Sequence, residues 1–121
     1  MSFKTGYIYH FKPCKSSIPV KNKYAICMSG ERGWFYLINS CDEKRPYDYE
    51  KDLSVIFNEF QVEPLKHKSY INVNKLKTIG IDDYDECQEY TKVSNMIWLS
   101  IRELCLQKQP KHITDVIFGN K

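Results

Sequence analysis

No stretch of this 121-residue chain approaches the roughly 20 consecutive apolar residues that a membrane-spanning helix needs. The opening residues Met1-Ser2-Phe3-Lys4 also lack the apolar core of a secretory signal. These two absences predict a cytoplasmic protein with no membrane partner. Paired cysteines are missing as well: Cys14, Cys27, Cys41, Cys87 and Cys105 are odd in number and scattered, with no CxxC spacing. That spacing argues for free thiols, against a zinc site or a disulfide framework. Nor does the chain contain a phosphate-binding glycine loop, a dinucleotide fingerprint or a nucleophile elbow. A nucleotide-driven enzyme is therefore not expected, and neither a cofactor nor a metal is implied. Internal repeats and low-complexity segments are absent too.

What is present is an ordinary globular composition with many aromatics: nine Tyr, six Phe and two Trp. The length suits one domain over residues 1–121 and is too short for two of usual size. A net charge of +3 is too small to demonstrate a nucleic-acid partner, but its distribution is uneven. Lys4, Lys12, Lys15, Lys21 and Lys23 crowd the first strand and loop, and Lys66, Lys68, Lys75 and Lys77 cluster later. Asp82, Asp83, Asp85, Glu86 and Glu89 form an acidic block. The basic region reads either as a polyanion footprint or as solvated lysines that keep strand edges from pairing.

Alternation of Tyr7, Tyr9 and Phe11 with Ile8 and His10 predicts a two-faced strand over 5–12. Pro13 to Asn22, with two prolines and several polar residues, predicts an exposed loop. Tyr24 to Met28 and Trp34 to Ile38 are apolar runs separated by Ser29-Gly30-Glu31-Arg32-Gly33, the pattern of a buried hairpin. Asn39 to Lys51 turns polar and predicts a further loop. Leu53 to Phe60 fits both helical and strand spacing, with strand preferred. Ser69 to Val73 and Leu76 to Ile79 add short strands. Tyr90, Val93, Ile97, Ile101, Leu104 and Cys105 recur at three- and four-residue steps, which predicts one amphipathic helix of about 20 residues. The acidic block would then sit at its positive end. Ile113 to Phe118 predicts one short helical turn docked on the body. The expected class is α+β: a small barrel or rolled antiparallel sheet over about 1–80, with a helical part over about 87–118 packed on it.

Polar side chains at strand ends are the candidates for chemistry. Lys23 opens the Tyr24–Met28 run, so its ammonium is expected at the rim, where it could hold a phosphate. Asn39 and Ser40 close the returning strand and, if the hairpin pairs as predicted, fall at the same end as Lys23. An unremarkable loop lysine and a strand-end turn explain the same residues equally well. Lys66-His67-Lys68 precedes a strand; the flanking lysines disfavour the imidazolium, which suits His67 to act as a general base, although a lone histidine is more often structural. His10 and His112 read as core or surface residues, and the aromatic stripe reads as core more readily than as a base-stacking platform.

The order of these pieces resembles the MazF/PemK-like toxin fold, including ToxN-type ribonucleases. The resemblance lies in Gly6-Tyr7-Ile8-Tyr9-His10-Phe11, then Asn22-Lys23-Tyr24-Ala25-Ile26-Cys27-Met28-Ser29, then Trp34-Phe35-Tyr36-Leu37-Ile38-Asn39-Ser40, and in Ser69-Tyr70-Ile71 through Ile79 leading to the helix. It implies an SH3-like barrel, often a homodimer, that cleaves single-stranded RNA without a metal and is silenced by an antitoxin. By the same resemblance Lys23 stabilises the phosphate charge and Ser40 takes the place of a strand-end hydroxyl residue. His67 is the candidate base or acid, with Lys68 in support, and Lys21, Asn39, Lys66 and Lys68 are the candidate RNA contacts. The family's arginine–proline pair is Lys23-Tyr24 here, and lysine neutralises a phosphate without gripping it bidentately. That departure keeps open a non-catalytic barrel that binds a protein or nucleic acid, of phage or mobile-element origin among other sources.

Overall fold

The computed structural model describes residues 3–40, 53–57, 65 and 68–119. Among the described residues it is α+β, with eight strands, all paired antiparallel, and two α-helices. β1 (Tyr7–Cys14), β2 (Lys21–Ser29), β3 (Trp34–Leu37), β7 (Leu76–Thr78) and β8 (Glu86–Lys92) form a five-stranded sheet in the order β7-β3-β2-β1-β8. β4 (Asn39–Ser40), β5 (Ser54–Phe57) and β6 (Ser69–Asn72) form a second sheet in the order β4-β6-β5. Only Ile38 separates β3 from β4, and its N–H still donates to the Tyr24 carbonyl at 2.8 Å, so the chain steps from one sheet to the other within a residue. Among the described residues the ladders make two sheets and do not close one sheet into a barrel.

Alternation decides what each face buries. Ile8, Ile26, Met28 and Tyr36 leave one face of the large sheet and meet Val55, Phe57 and Ile71 of the small sheet and Ile97 and Ile101 of α1 (Asn95–Lys108). Tyr9, Phe11, Ala25, Cys27 and Phe35 leave the other face and form a second cluster with Ile79, closed by Phe3 and Tyr84. A sheet covered on both sides reads as near-continuous apolar strands. That is why Tyr24 to Met28 lacks clean alternation. The buried Tyr36 hydroxyl donates to the Val73 carbonyl at 2.8 Å, and the Gln109 amide donates to the same oxygen. These bonds fix the start of the β7 turn against the end of α1.

The predicted hairpin, the first strand, the strand within 53–60 and the two later short strands all form, although β1 and β2 extend into both ends of the expected loop and leave only 15–20 between them. Residues 41–51 and 58–60 lie outside the described residues, while Asn39 and Ser40 of the expected second loop are strand β4. The 20-residue helix does not form as expected. Glu86–Lys92 is strand β8 on the open edge of β1, and α1 has 14 residues. A three-residue step in a strand lands on opposite faces, so Cys87 joins the Phe11 side while Tyr90 meets the Tyr24 ring at 5.6 Å. A bulge opposite Tyr7–Tyr9 follows, and Val93 packs on the Tyr90 side. The helix-like spacing before Val93 is therefore a bulged strand. The acidic block lies outside the helix; Glu89 accepts from the Tyr9 hydroxyl at 2.8 Å and pairs with Lys4 at 3.3 Å. The tail forms α2 (Lys111–Phe118), longer than the single turn expected. Neither helix is long and apolar enough to cross a membrane.

Ser94, in extended conformation, accepts the Ile97 N–H at 3.2 Å and so starts α1. Ser94→Ala is expected to cost about 1 kcal/mol, seen as a lower urea midpoint at constant slope. An unmoved midpoint would remove Ser94 as the cap.

Candidate functional site

One face of the large sheet changes character along its length. Residues 23, 25 and 27 of β2 share a face, and the register Cys27↔Phe35↔Lys77 puts Lys77 there too. Cys27 and Phe35 lie in the aromatic cluster at one end; away from it that face carries Lys21, Lys23 and Leu37, and Lys77 flanks the cluster on the edge strand β7. Together with Lys75 these residues line a cleft of about 390 Å³ between the 15–20 loop and the β6–β7 turn. Among the described residues no carboxylate lines it.

Both walls are braced from within. The Ser17 hydroxyl donates within the loop to the Pro19 carbonyl at 2.7 Å and accepts the Lys21 N–H at 3.3 Å, tying the loop to the start of β2. Across the cleft the Asn72 side chain accepts the Asn74 N–H at 2.8 Å, and the Asn72 carbonyl accepts the Lys75 N–H at 3.0 Å. The lysines therefore project from backbone that is already hydrogen-bonded.

Lys23 lies at the floor. Sequence reasoning placed its ammonium at the rim; the residue is instead 92% covered, on a cleft it shares with Ser16, Ser17 and Ile18 of the 15–20 loop. Lys23 Nζ donates to Asn39 Oδ1 at 2.6 Å. Burial, and secondly the neighbouring Lys21 charge, push the Lys23 amine down to about 8. A cation in this state gains from any anion that shares its site. With Oδ1 taken by Lys23, the Asn39 amide nitrogen is left as a donor group.

A second lobe of about 460 Å³ adjoins the first and shares Lys21, Lys23 and Asn39 with it. Ser40, Tyr24 and Tyr70 also line this lobe. The pairing Asn39↔Tyr70 and Ser40↔Ser69 sets those hydroxyls beside the Lys23–Asn39 pair. Tyr24 stacks on His10, centroids 4.1 Å apart at 12°. His10 Nδ1 is buried with no hydrogen-bond partner among the described residues, and burial lowers its pKa.

No protein-family model matches the chain, and no curated protein matches it.

Of the residues singled out from sequence, Lys21, Lys23, Asn39 and Ser40 come together at this cleft. Lys68 is exposed just before β6, one residue from the Ser69 that pairs with Ser40. Lys66 and His67 lie outside the described residues. Arg32 lies over the Trp34 ring at the hairpin, 5.7 Å from its centroid. Sequence reasoning missed Lys75, Lys77, Asn72 and Ser17 as cleft residues. The lysine cluster was visible, but only the pairing of β7 with β3 brings it to the face of Lys23. Two other lysines from the basic first segment are neutralised elsewhere, Lys4 by Glu89 and Lys15 by Asp85 at 3.4 Å. Among the described residues no three His, Cys, Asp or Glu side chains converge as metal ligands.

Proposed function

We propose that this protein is a MazF/PemK-like endoribonuclease that cleaves single-stranded RNA in the cytoplasm without a metal. The observation that carries the reading is the desolvated Lys23–Asn39 pair at the floor of a cleft with four lysines and, among the described residues, no carboxylate. The step at Ile38 supports the finer fold reading, in which the two sheets are the halves of an SH3-like barrel. In this chemistry the ribose 2′-hydroxyl attacks the adjacent phosphorus, the 5′-oxygen leaves, and a 2′,3′-cyclic phosphate remains. Negative charge grows on the phosphoryl oxygens, and a cation held in low dielectric stabilises it more than one in water. Lys23 has that role, with Lys21 and the Asn39 amide beside it and the Ser40 hydroxyl as a further donor. His67 moves the proton, as base or acid, with Lys66 and Lys68 contacting the flanking strand. The exposed Met96, Leu99 and Leu106 of α1 support a protein partner, an antitoxin or a second copy.

One observation favours the alternative of a non-catalytic binding module: among the described residues neither lobe contains a histidine or carboxylate to move a proton. Incubation with long single-stranded RNA in excess chelator separates the two. New ends bearing cyclic phosphate are expected from wild type, with His67→Ala slower by about 100-fold. Intact RNA from folded wild-type protein would overturn catalysis and leave the binding module.

A further inference from the structure

Lys23 and Lys77 leave the same face from strands β2 and β7, with β3 between them. Lys77 is level with Cys27, four residues along β2 from Lys23, so two strand spacings of about 10 Å and an offset of about 13 Å along the strand keep both ammonium groups from centring on one phosphate without bending toward each other. Lys21 stands two residues from Lys23 on β2, and Lys75 two residues from Lys77, so the cations fall into two pairs. Leu37, on the intervening strand β3, lines the cleft between the pairs. The cleft is thus cationic at two places with an apolar side chain between.

We infer that the cleft holds two neighbouring phosphates of a single-stranded nucleic acid, one at Lys21–Lys23–Asn39 and the next at Lys75–Lys77, with Leu37 against the sugar that joins them. This rests on the RNA reading above and gives the strand a path across the site. The Lys75–Lys77 half grips a phosphate that does not react. The lobe lined by Tyr24, Ser40 and Tyr70 receives the nucleoside on the other side of Lys23. The whole ligand is therefore at least a dinucleotide with two phosphates, and a single phosphate fills half the site.

The test is the affinity of wild type, Lys75→Ala/Lys77→Ala and Lys4→Ala/Lys111→Ala for a fluorescent ten-residue oligothymidylate, measured over a salt series in chelator. DNA lacks the attacking 2′-hydroxyl, so binding is read without cleavage. Loss of one phosphate contact makes the log–log salt dependence shallower by about 0.7, and about tenfold in affinity is expected to go with it for Lys75→Ala/Lys77→Ala. Lys4→Ala/Lys111→Ala is expected to bind as wild type, since both lysines pair with acidic residues and line neither lobe of the cleft. An unchanged slope and affinity in Lys75→Ala/Lys77→Ala would overturn the two-phosphate site. Inorganic tripolyphosphate as competitor separates the possible ligands. Weak competition supports a nucleic-acid strand, whereas displacement at lower concentration than the oligonucleotide itself overturns it in favour of a free oligophosphate. If the slope changes as expected while RNA stays uncut in the chelator experiment, the binding site stands and the catalytic reading falls.

Discussion

Lys23→Met is expected to lower RNA cleavage by at least 100-fold while leaving the protein more stable at neutral pH than wild type. The first half follows from the loss of a desolvated cation at the charge that develops on phosphorus. The second follows from the cost of keeping that cation buried. The unfolded chain holds the Lys23 proton up to the ordinary value of 10.5, whereas the folded chain releases it at about 8. Below pH 8 the folded state carries the full penalty, on the order of 2–3 kcal/mol. Methionine fills similar volume without charge, and the Asn39 oxygen it strands faces a cleft where water can replace the lost donor. A net gain of about 1–2 kcal/mol is expected.

The pH dependence gives the same residue a distinct signature. Between about 8 and 10.5 the unfolded chain binds more protons than the folded one at Lys23, so stability rises with pH there. Burial acts oppositely on thiols, pushing Cys27 up to about 12 and Cys87 up to about 11. Their stabilisation is present below 9 and is lost as pH climbs above it. Wild type should therefore show a thermal midpoint that rises from pH 7.5 to about 9 and then falls, and Lys23→Met only the fall. A phosphate ligand that restores the Lys23 proton binds more weakly as pH rises past 8, by roughly tenfold toward pH 9.5. Equal pH profiles for the two proteins would remove the buried-cation account.

Gly30→Ala is expected to be the most damaging one-carbon change, at about 2–4 kcal/mol. A β-carbon at Gly30 would lie 1.9 Å from the Phe3 carbonyl oxygen. The Gly30 N–H already donates to Thr5 Oγ1 at 2.9 Å, which holds the hairpin and the N-terminal segment together. Relief requires Phe3 to move, and its ring is edge-on to Phe35 at 4.9 Å and Tyr9 at 5.1 Å. The aromatic cluster beneath the sheet would open at that edge. Phe3→Ala alone should cost about 2 kcal/mol, but added to Gly30→Ala it should cost much less, because the ring is already displaced. Urea unfolding of the two single variants and the double variant measures this coupling. Strict additivity, or a Gly30→Ala midpoint equal to wild type, would show that the close approach is not maintained in solution.

Much of the candidate site was legible because its first members are neighbours along a hairpin. Lys23 opens one strand and Asn39 follows the other, so antiparallel pairing alone predicts their approach, and the 2.6 Å bond is the structural counterpart. The burial of Lys23 was not legible. Lys23 shares its cleft with the 15–20 loop, which is held by its own Ser17 bonds rather than by apolar periodicity. Lys75 and Lys77 were visible as charge but not as part of this site, since which strand lies beside β3 is a long-range choice.

Period-two alternation and glycine placement are properties of a few adjacent residues, and they define the central parts of β1, β2 and β3, the hairpin at Gly30–Gly33 and the short strands that follow, but not the strand residues 13–14, 21–22 and 39–40 that were expected in loops. Helical spacing likewise locates α1 from Ile97 onward. Neither can tell a bulged strand from the first turns of a helix, because both present apolar side chains three residues apart. At Glu86–Lys92 the outcome depended on the unpaired edge of β1, whose backbone groups need partners that lie about 80 residues away in the chain. The same long-range pairing split the strands into two sheets at Ile38 and gathered four lysines around one cleft. Local pattern specifies which face of an element is apolar; which element meets it is settled by burial and backbone hydrogen bonding in the folded whole.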